Sequence, residues 1–134
     1  MKKYEFTGET EVIGSITLHR IRAVKSFSDV NIGDIGGWIE KEENLSHEGN
    51  AWVCGNAKVY GNAKVFDNAD YIVFKNWWSS GRYFTWTRSN NKWAVGCFYG
   101  TGKELIAKAY KDSEKSGKEY ERIVRYVESI LAES

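Results

Sequence analysis

A six-residue repeat at residues 49–72 constrains the fold of this chain more than any other feature. It reads GNAWVC, GNAKVY, GNAKVF and DNADYI. One apolar position is always alanine and the next, two residues later, is valine or tyrosine: Ala51, Ala57, Ala63, Ala69 and Val53, Val59, Val65, Tyr71. Because side chains two residues apart in an extended segment share a side, these positions should face inward, while Lys58 and Lys64 face solvent.

Short extended segments joined by Gly-Asn corners every six residues are typical of a parallel β-helix. If three hexads close one coil of about 18 residues, the register extends back through residues 31–48. Ile39 and Leu45 then fall at the small inward position and Ile35 at the valine position. The sequence therefore predicts a short hexapeptide-repeat β-helix of about two coils over residues 31–72.

Two coils make a structure only about 10 Å tall, so both of its ends need a cover. Residues 1–30 are predicted to form an N-terminal β cap, with strands at YEF and ITLHRIRAV separated by a turn at TGETEVIGS. Residues 73–134 should form an antiparallel meander followed by a two-helix module. The aromatic-rich strings YIVFKNWW, RYFTWTRS and KWAVGCFYG predict a meander of three strands.

Two capping boxes mark the starts of the predicted helices, Thr101 with Glu104 and Ser116 with Glu119. Each is followed by an apolar stripe of helical period. The complete expectation is an α+β fold, in which a short parallel β-helix is followed by a three-stranded antiparallel sheet and two C-terminal helices.

Composition narrows the classes of function. Among 134 residues, 19 Lys and Arg balance 18 Asp and Glu, so the net charge of +1 gives no general attraction to nucleic acid. Cys54 and Cys97 lack the spacing of a metal site, and no apolar run is long enough to span a bilayer. The chain is expected to be cytoplasmic, with free thiols, no membrane association and no metal.

The combination GDIGGWIEKEENLSHEGNAWV followed by GNAKVYGNAKVF resembles a group of small bacterial and prophage-borne proteins with hexapeptide repeats. The resemblance covers roughly residues 1–72. The tail from YIVFKNWWSSGRYFTWTRSNN onwards is similar to C-terminal modules of phage-encoded accessory proteins. The resemblance implies an accessory protein that binds a bacterial effector complex, in its most concrete form an anti-CRISPR inhibitor of host defence.

Hexapeptide repeats also suggest an acyltransferase, which would need a histidine as its general base. Only His19 and His47 are available, and no Ser/His/Asp or Cys/His constellation is evident. We therefore expect no catalytic residues and no cofactor, and keep a reduced acyltransferase as an alternative.

Aromatic and basic residues of the meander are the predicted binding site: Lys75, Trp77, Trp78, Arg82, Phe84, Trp86, Arg88 and Trp93. Strand alternation places Arg82, Phe84, Trp86 and Arg88 on one face, which could contact a partner protein, a nucleotide or single-stranded nucleic acid. The alternative is that Phe84 and Trp86 pack beneath the helices and the arginines flank the sheet.

A second aromatic patch is predicted at the corners of the hexads, at Trp52, Tyr60 and Phe66. If exposed, it would favour self-association as a homodimer. The sequence thus favours a non-catalytic protein that binds a partner and acts by occlusion.

Overall fold

The computed structural model describes residues 2–133, which form two four-stranded sheets followed by two helices. The first sheet contains β1 (Tyr4–Ile13), β2 (Ile16–Ala23), β3 (Ile35–Ile39) and β4 (Lys58–Val59), in that order. The second contains β5 (Tyr71–Lys75), β6 (Tyr83–Thr87), β7 (Lys92–Val95) and β8 (Phe98–Gly100). The helices are α1 (Gly102–Asp112) and α2 (Glu114–Ala132).

The first two strands form one long antiparallel hairpin, whose turn contains Gly14 at a φ of +60°. The turn predicted at TGETEVIGS is too long, because β1 continues to Ile13 and only the last two residues of that string, Gly14 and Ser15, form the turn. Its register shifts between Phe6 and Thr10, where Gly8 adopts a φ of +99°. A bulge at a glycine lets the strand continue where the sequence suggested a turn.

The predicted fold class is wrong in its central part, since residues 31–72 do not form a parallel β-helix. Parallel pairing is limited to two residue pairs between β3 and β4 and to an isolated bridge between Leu45 and Val65. Strand β3 instead pairs antiparallel with β2, which makes the first sheet mixed. The hexads spend most of their length in corners, where Gly55 and Gly61 have positive φ, so little of each repeat is extended enough to form a ladder.

Burial nonetheless follows the repeat. The inward positions at 0% or 1% relative exposure are Ala51, Val53, Ala57, Val59, Ala63 and Val65. Ile39 and Leu45 are also fully buried as predicted, whereas Ile35 is 50% exposed and Ala69 is exposed. The repeat therefore identifies the core of the first half of the chain even though it does not identify the strand pairing.

Backbone carbonyls of the hexads are hydrogen-bonded by the layer beneath them. The N–H groups of Gly37 and Trp38 donate to the carbonyls of Val53 and Ala57, at 2.7 and 3.0 Å. The buried Asn44 amide donates to the carbonyl of Ala63 at 2.8 Å. Such contacts satisfy polar groups that a β-ladder would otherwise pair.

The second sheet is antiparallel throughout and has four strands, not the predicted three. The string KWAVGCFYG contains two of them, because Gly96 at a φ of +57° starts a tight turn between Val95 and Phe98. Glycine at the first turn position is the signature of a two-residue hairpin.

Both predicted helices are present and pack on the second sheet. Thr101 caps α1 and forms the predicted capping box with Glu104. The second helix begins earlier than its predicted box, at Glu114, with the Ser113 hydroxyl accepting from the Ser116 N–H. Ser116 and Glu119 are therefore interior residues of α2.

The hexad segment lies against the second sheet through specific polar contacts. The Lys58 N–H donates to Thr85 Oγ1 at 3.0 Å, and the Lys64 N–H donates to Ser89 Oγ at 2.8 Å. A small apolar cluster that includes Leu18, Tyr60 and Ala94 joins the two sheets. Neither helix within residues 2–133 is long and apolar enough to cross a membrane.

Candidate functional site

Three of the predicted binding residues are part of the core of the C-terminal half. Phe84, Trp86 and Trp93 are each exposed by 1% or less and pack beneath the helices. The indole N–H of Trp86 donates to Asn91 Oδ1 at 2.8 Å, which satisfies its one polar atom. The prediction that these rings face a partner is wrong. They pack in the core instead, as the alternative for Phe84 and Trp86 stated.

The other predicted residues lie at or near the surface. Lys75 is exposed, with its Nζ 5.8 Å from the centroid of the Tyr83 ring, and Arg88 is half-buried. Trp78 is half-buried, and its indole N–H donates to the Ser116 hydroxyl at 3.0 Å. Trp77 is 66% exposed.

The predicted hexad patch does not form as a continuous surface. Trp52 is 8% exposed and Tyr60 is 2% exposed, whereas Phe66 is 61% exposed. Both buried rings pack against elements outside the repeat, which the repeat alone does not predict. Trp52 lies beside Tyr4 and Phe27, whereas Tyr60 lies between the two sheets. A homodimer through these positions stays a prediction, with Phe66 as its exposed member.

Trp77 belongs to a loop, residues 76–82, that is held in one conformation by Asn76. The Asn76 side chain accepts from the Ser79 N–H at 2.9 Å and donates to the Tyr120 hydroxyl at 3.3 Å. Its backbone carbonyl accepts from the Gly81 N–H at 2.8 Å. An ordered loop loses little conformational freedom when a partner binds.

This loop forms one wall of a cavity of about 240 Å³, which we call the loop pocket. Apolar side chains from β7, β8 and the helices line it, together with a polar rim: Val95, Phe98, Leu105, Ala109, Tyr120, Asn76, Ser79, Ser80, Arg82, Lys108, Asp112 and Ser116. Seven of these twelve residues are polar or charged, so the pocket offers hydrogen-bonding groups as well as the apolar surface of residues such as Phe98 and Leu105.

Charge at the rim is concentrated on Arg82. Lys108 and Asp112 form an ion pair with each other at 3.7 Å. Within residues 2–133, no side chain accepts a hydrogen bond from the guanidinium of Arg82. Burial raises the pKa of the Tyr120 hydroxyl, and nearby Arg82 opposes that rise, so this phenol is a neutral donor at pH 7.

Trp77 does not line this pocket, although its neighbour Asn76 does, and its ring contacts α2. The Lys115 ammonium is 5.1 Å from the centroid of its ring, and the ring meets Trp78 edge to face at 5.9 Å. An exposed indole held by a cation and a second indole is oriented before any partner arrives.

The two histidines have different surroundings. His47 Nδ1 accepts from the Lys3 N–H at 3.0 Å, so its proton is on Nε2, which lies 2.7 Å from Glu42 Oε1. The His19 ring stacks on Phe6 at 4.4 Å. Over the described residues, no three His, Cys, Asp or Glu side chains come together as metal ligands would.

Several residues of the loop pocket were not predicted from the sequence. The string SSG indicates a loop after NWW, but nothing in the sequence pairs Asn76 with Tyr120, 44 residues away. The apolar stripe of α2 predicts that Tyr120 is buried, not that its hydroxyl meets the loop.

No family model matches this chain. A curated protein of Escherichia coli (strain K12), "Uncharacterized acetyltransferase YdcK", is 34% identical over 61 residues, which cover 40% of this chain. The match spans only 19% of the length of that protein. This similarity is compatible with the hexapeptide repeat.

Proposed function

We propose that this chain is a non-catalytic binding protein that recognises a partner protein through Trp77 and the loop pocket. The single observation that carries the proposal is an exposed, oriented tryptophan on the loop that forms one wall of a pocket of mixed polarity. The rim of that pocket holds an arginine whose guanidinium has no hydrogen-bond partner among residues 2–133. Tryptophan, tyrosine and arginine next to a pocket are the residues that dominate binding energy at protein interfaces.

The size of the pocket supports a side chain as its occupant. A volume of about 240 Å³ is below the usual range of small-molecule sites, but it accommodates one large apolar side chain. Arg82 at the rim would then bind a carbonyl or carboxylate of the same partner. Trp77 would cover the inserted side chain from outside.

Single-stranded nucleic acid is a less well supported partner. That alternative requires Trp86 to stack on a base, and Trp86 is fully buried. Arg82 and Trp77 remain accessible for such a contact, so loss of binding after nuclease treatment is the outcome that would favour it.

Acetyl transfer, suggested by the name of the E. coli protein, is not supported by the histidine contacts seen within residues 2–133. Both ring nitrogens of His47 are engaged, and neither histidine lines the loop pocket. The more specific prediction, a prophage-borne inhibitor that occludes a bacterial defence complex of the anti-CRISPR type, rests on the sequence resemblance, and the identity of the captured partner tests it.

The experiment is affinity capture from bacterial lysate with the wild-type chain, Trp77→Ala and Arg82→Ala, each with and without nuclease. Phe66→Ala is the matched control, because Phe66 is a similarly exposed aromatic residue that is outside the loop and does not line the loop pocket. We expect a defined protein that survives nuclease, is retained by the control and is lost from both loop variants. Equal capture by wild type and Trp77→Ala would overturn the proposal.

A further inference from the structure

A second cavity lies between the two sheets, on the other side of Arg82. It has a volume of about 310 Å³ and is called here the inter-sheet cavity. Its walls come from the tip of the first hairpin, from the hexads and from β6, β7 and the turn after β7: Glu11, Val12, Ile13, Gly14, Lys58, Tyr60, Arg82, Tyr83, Thr85, Ala94, Gly96 and Cys97. This volume is at the lower end of the range for small-molecule sites.

Tyr60 in this wall carries an unusual polar atom. Its side chain is 2% exposed, and its hydroxyl is the only buried side-chain oxygen or nitrogen in residues 2–133 without a hydrogen-bond partner. Leaving such a group unpaired in the interior is unfavourable, because the hydroxyl has lost its hydrogen bonds to water. Burial raises the pKa of this hydroxyl to about 12, so it is a protonated donor at pH 7.

Arg82 brings a cation to the same place. A Cβ added at Gly96 would clash with Arg82 Nη1, so the guanidinium lies directly against the turn that the cavity also borders. Cys97, the next residue, is close enough to Tyr60 to contribute to its raised pKa. The unpaired hydroxyl and the unpaired guanidinium therefore flank the same two-residue turn.

The charges in the wall indicate which ligand is complementary. Glu11 and Lys58 form an ion pair with each other, so their charges cancel. The charge of Arg82 is left over, which gives the wall a net charge of +1. Val12, Ile13, Ala94 and the ring of Tyr83 provide apolar surface for the rest of a ligand.

We propose that the inter-sheet cavity binds a small monocarboxylate with an apolar body, with the carboxylate between the Arg82 guanidinium and the Tyr60 hydroxyl. A planar carboxylate can accept two parallel bonds from a guanidinium and still accept one from a phenol. Phosphate carries more charge than this wall balances and has no apolar part. The inter-sheet cavity shares Arg82 with the loop pocket, but Tyr60 lines the inter-sheet cavity and not the loop pocket, so a change at Tyr60 affects the inter-sheet cavity alone.

The test is a titration followed by amide chemical shifts, with phenylacetate, its uncharged isostere phenylacetamide, and inorganic phosphate as probes. We expect phenylacetate to shift the amides of Gly14, Gly96 and Cys97, and phenylacetamide to bind at least about tenfold more weakly. Absence of phenylacetate binding, or binding of phosphate alone, would overturn the assignment.

Tyr60→Phe removes only the hydroxyl and keeps the ring. It should weaken phenylacetate binding by about tenfold while leaving the free protein as stable as wild type or more so, because an unpaired buried group is lost. Arg82→Gln should abolish binding, and Tyr126→Phe, at a residue that is 56% exposed on α2, should change nothing. Undiminished binding to Tyr60→Phe would contradict the proposal.

The two proposals fail separately. Tyr60→Phe should retain the protein captured through the loop pocket, so loss of carboxylate binding with retained capture identifies two sites. Loss of both functions in Tyr60→Phe would contradict a separate inter-sheet site.

Discussion

In the core of the hexad segment, Tyr4 and Tyr71 each donate a hydroxyl to a backbone carbonyl at 2.6 Å, those of Leu45 and Trp52. In the core beneath the helices, Trp86 and Trp93 pack against each other and against further rings, with centroids 6.5 Å apart. The difference follows from the backbone. Hexad corners leave carbonyls without a ladder partner, and aromatic hydroxyls bind them, whereas the second sheet pairs its own backbone and uses rings to fill volume.

Trp86→Ala should show the largest effect, because it empties the most buried ring of the second core. We expect a loss of about 3–5 kcal/mol in the free energy of unfolding, measured by denaturant titration. Trp77→Ala, in the exposed loop, should stay within about 0.5 kcal/mol of wild type. Similar losses of unfolding free energy in the two variants would contradict the distinction between a core and a surface tryptophan.

Ala57→Val tests the opposite property of the hexad core, its lack of spare room. Ala57 is fully buried in the first core, so two added methyl groups should cost about 1–3 kcal/mol. The matched control is Ala69→Val, at the same position of a later hexad but exposed. Equal thermal stability of the two variants would show that burial at this repeat position is not what matters.

Tyr71→Phe tests whether the hydrogen bonds of aromatic hydroxyls stabilise the hexad segment. It leaves the Trp52 carbonyl without the donor at 2.6 Å, and we expect a cost of about 1–2 kcal/mol. Tyr60→Phe should cost nothing, since its hydroxyl has no partner within residues 2–133. A comparable loss in both variants, measured by urea unfolding, would contradict the hydrogen-bond account.

Lys3 should produce an effect that is visible as a pH dependence of stability. Its side chain is fully buried, with Nζ donating to the Ala51 carbonyl at 2.6 Å, and burial first and Lys25 second lower its pKa from 10.5 to about 8. The folded state therefore binds fewer protons than the unfolded state between pH 8 and 10.5. This group makes stability rise with pH across that window, by at most about 1.4 kcal/mol per pH unit.

Lys3→Met should remove that rise. Subtracting the variant's curve of stability against pH from the wild-type curve cancels the opposite contribution of tyrosines whose pKa is raised by burial. Denaturant titrations between pH 8 and 9.5, about one pH unit below the unfolded lysine pKa, make the comparison. Parallel curves for wild type and variant would show that Lys3 is not held in the buried environment described.

The hexad repeat and the helical period predicted which residues are buried better than they predicted the strand pairing or the exposed binding residues. The alanine and valine positions and the helix stripes depend on local spacing, so they could be read from the sequence. The predicted β-helix is wrong because the same repeat with Gly-Asn corners is also compatible with a mixed sheet. Only the antiparallel pairing of β2 with β3 distinguishes the two folds. Trp86 and Trp77 both lie in aromatic-rich strings of the sequence. Only the position of the helices determines that Trp86 is buried and Trp77 is exposed.

The central claim is that Trp77 contacts a partner protein. A photo-cross-linking amino acid at position 77 of the chain expressed in bacteria tests it most directly, with the same substitution at position 66 as the control. We predict a covalent adduct with one protein from position 77 and none with that protein from position 66. No adduct at position 77, or the same adducts at both positions, would contradict the claim.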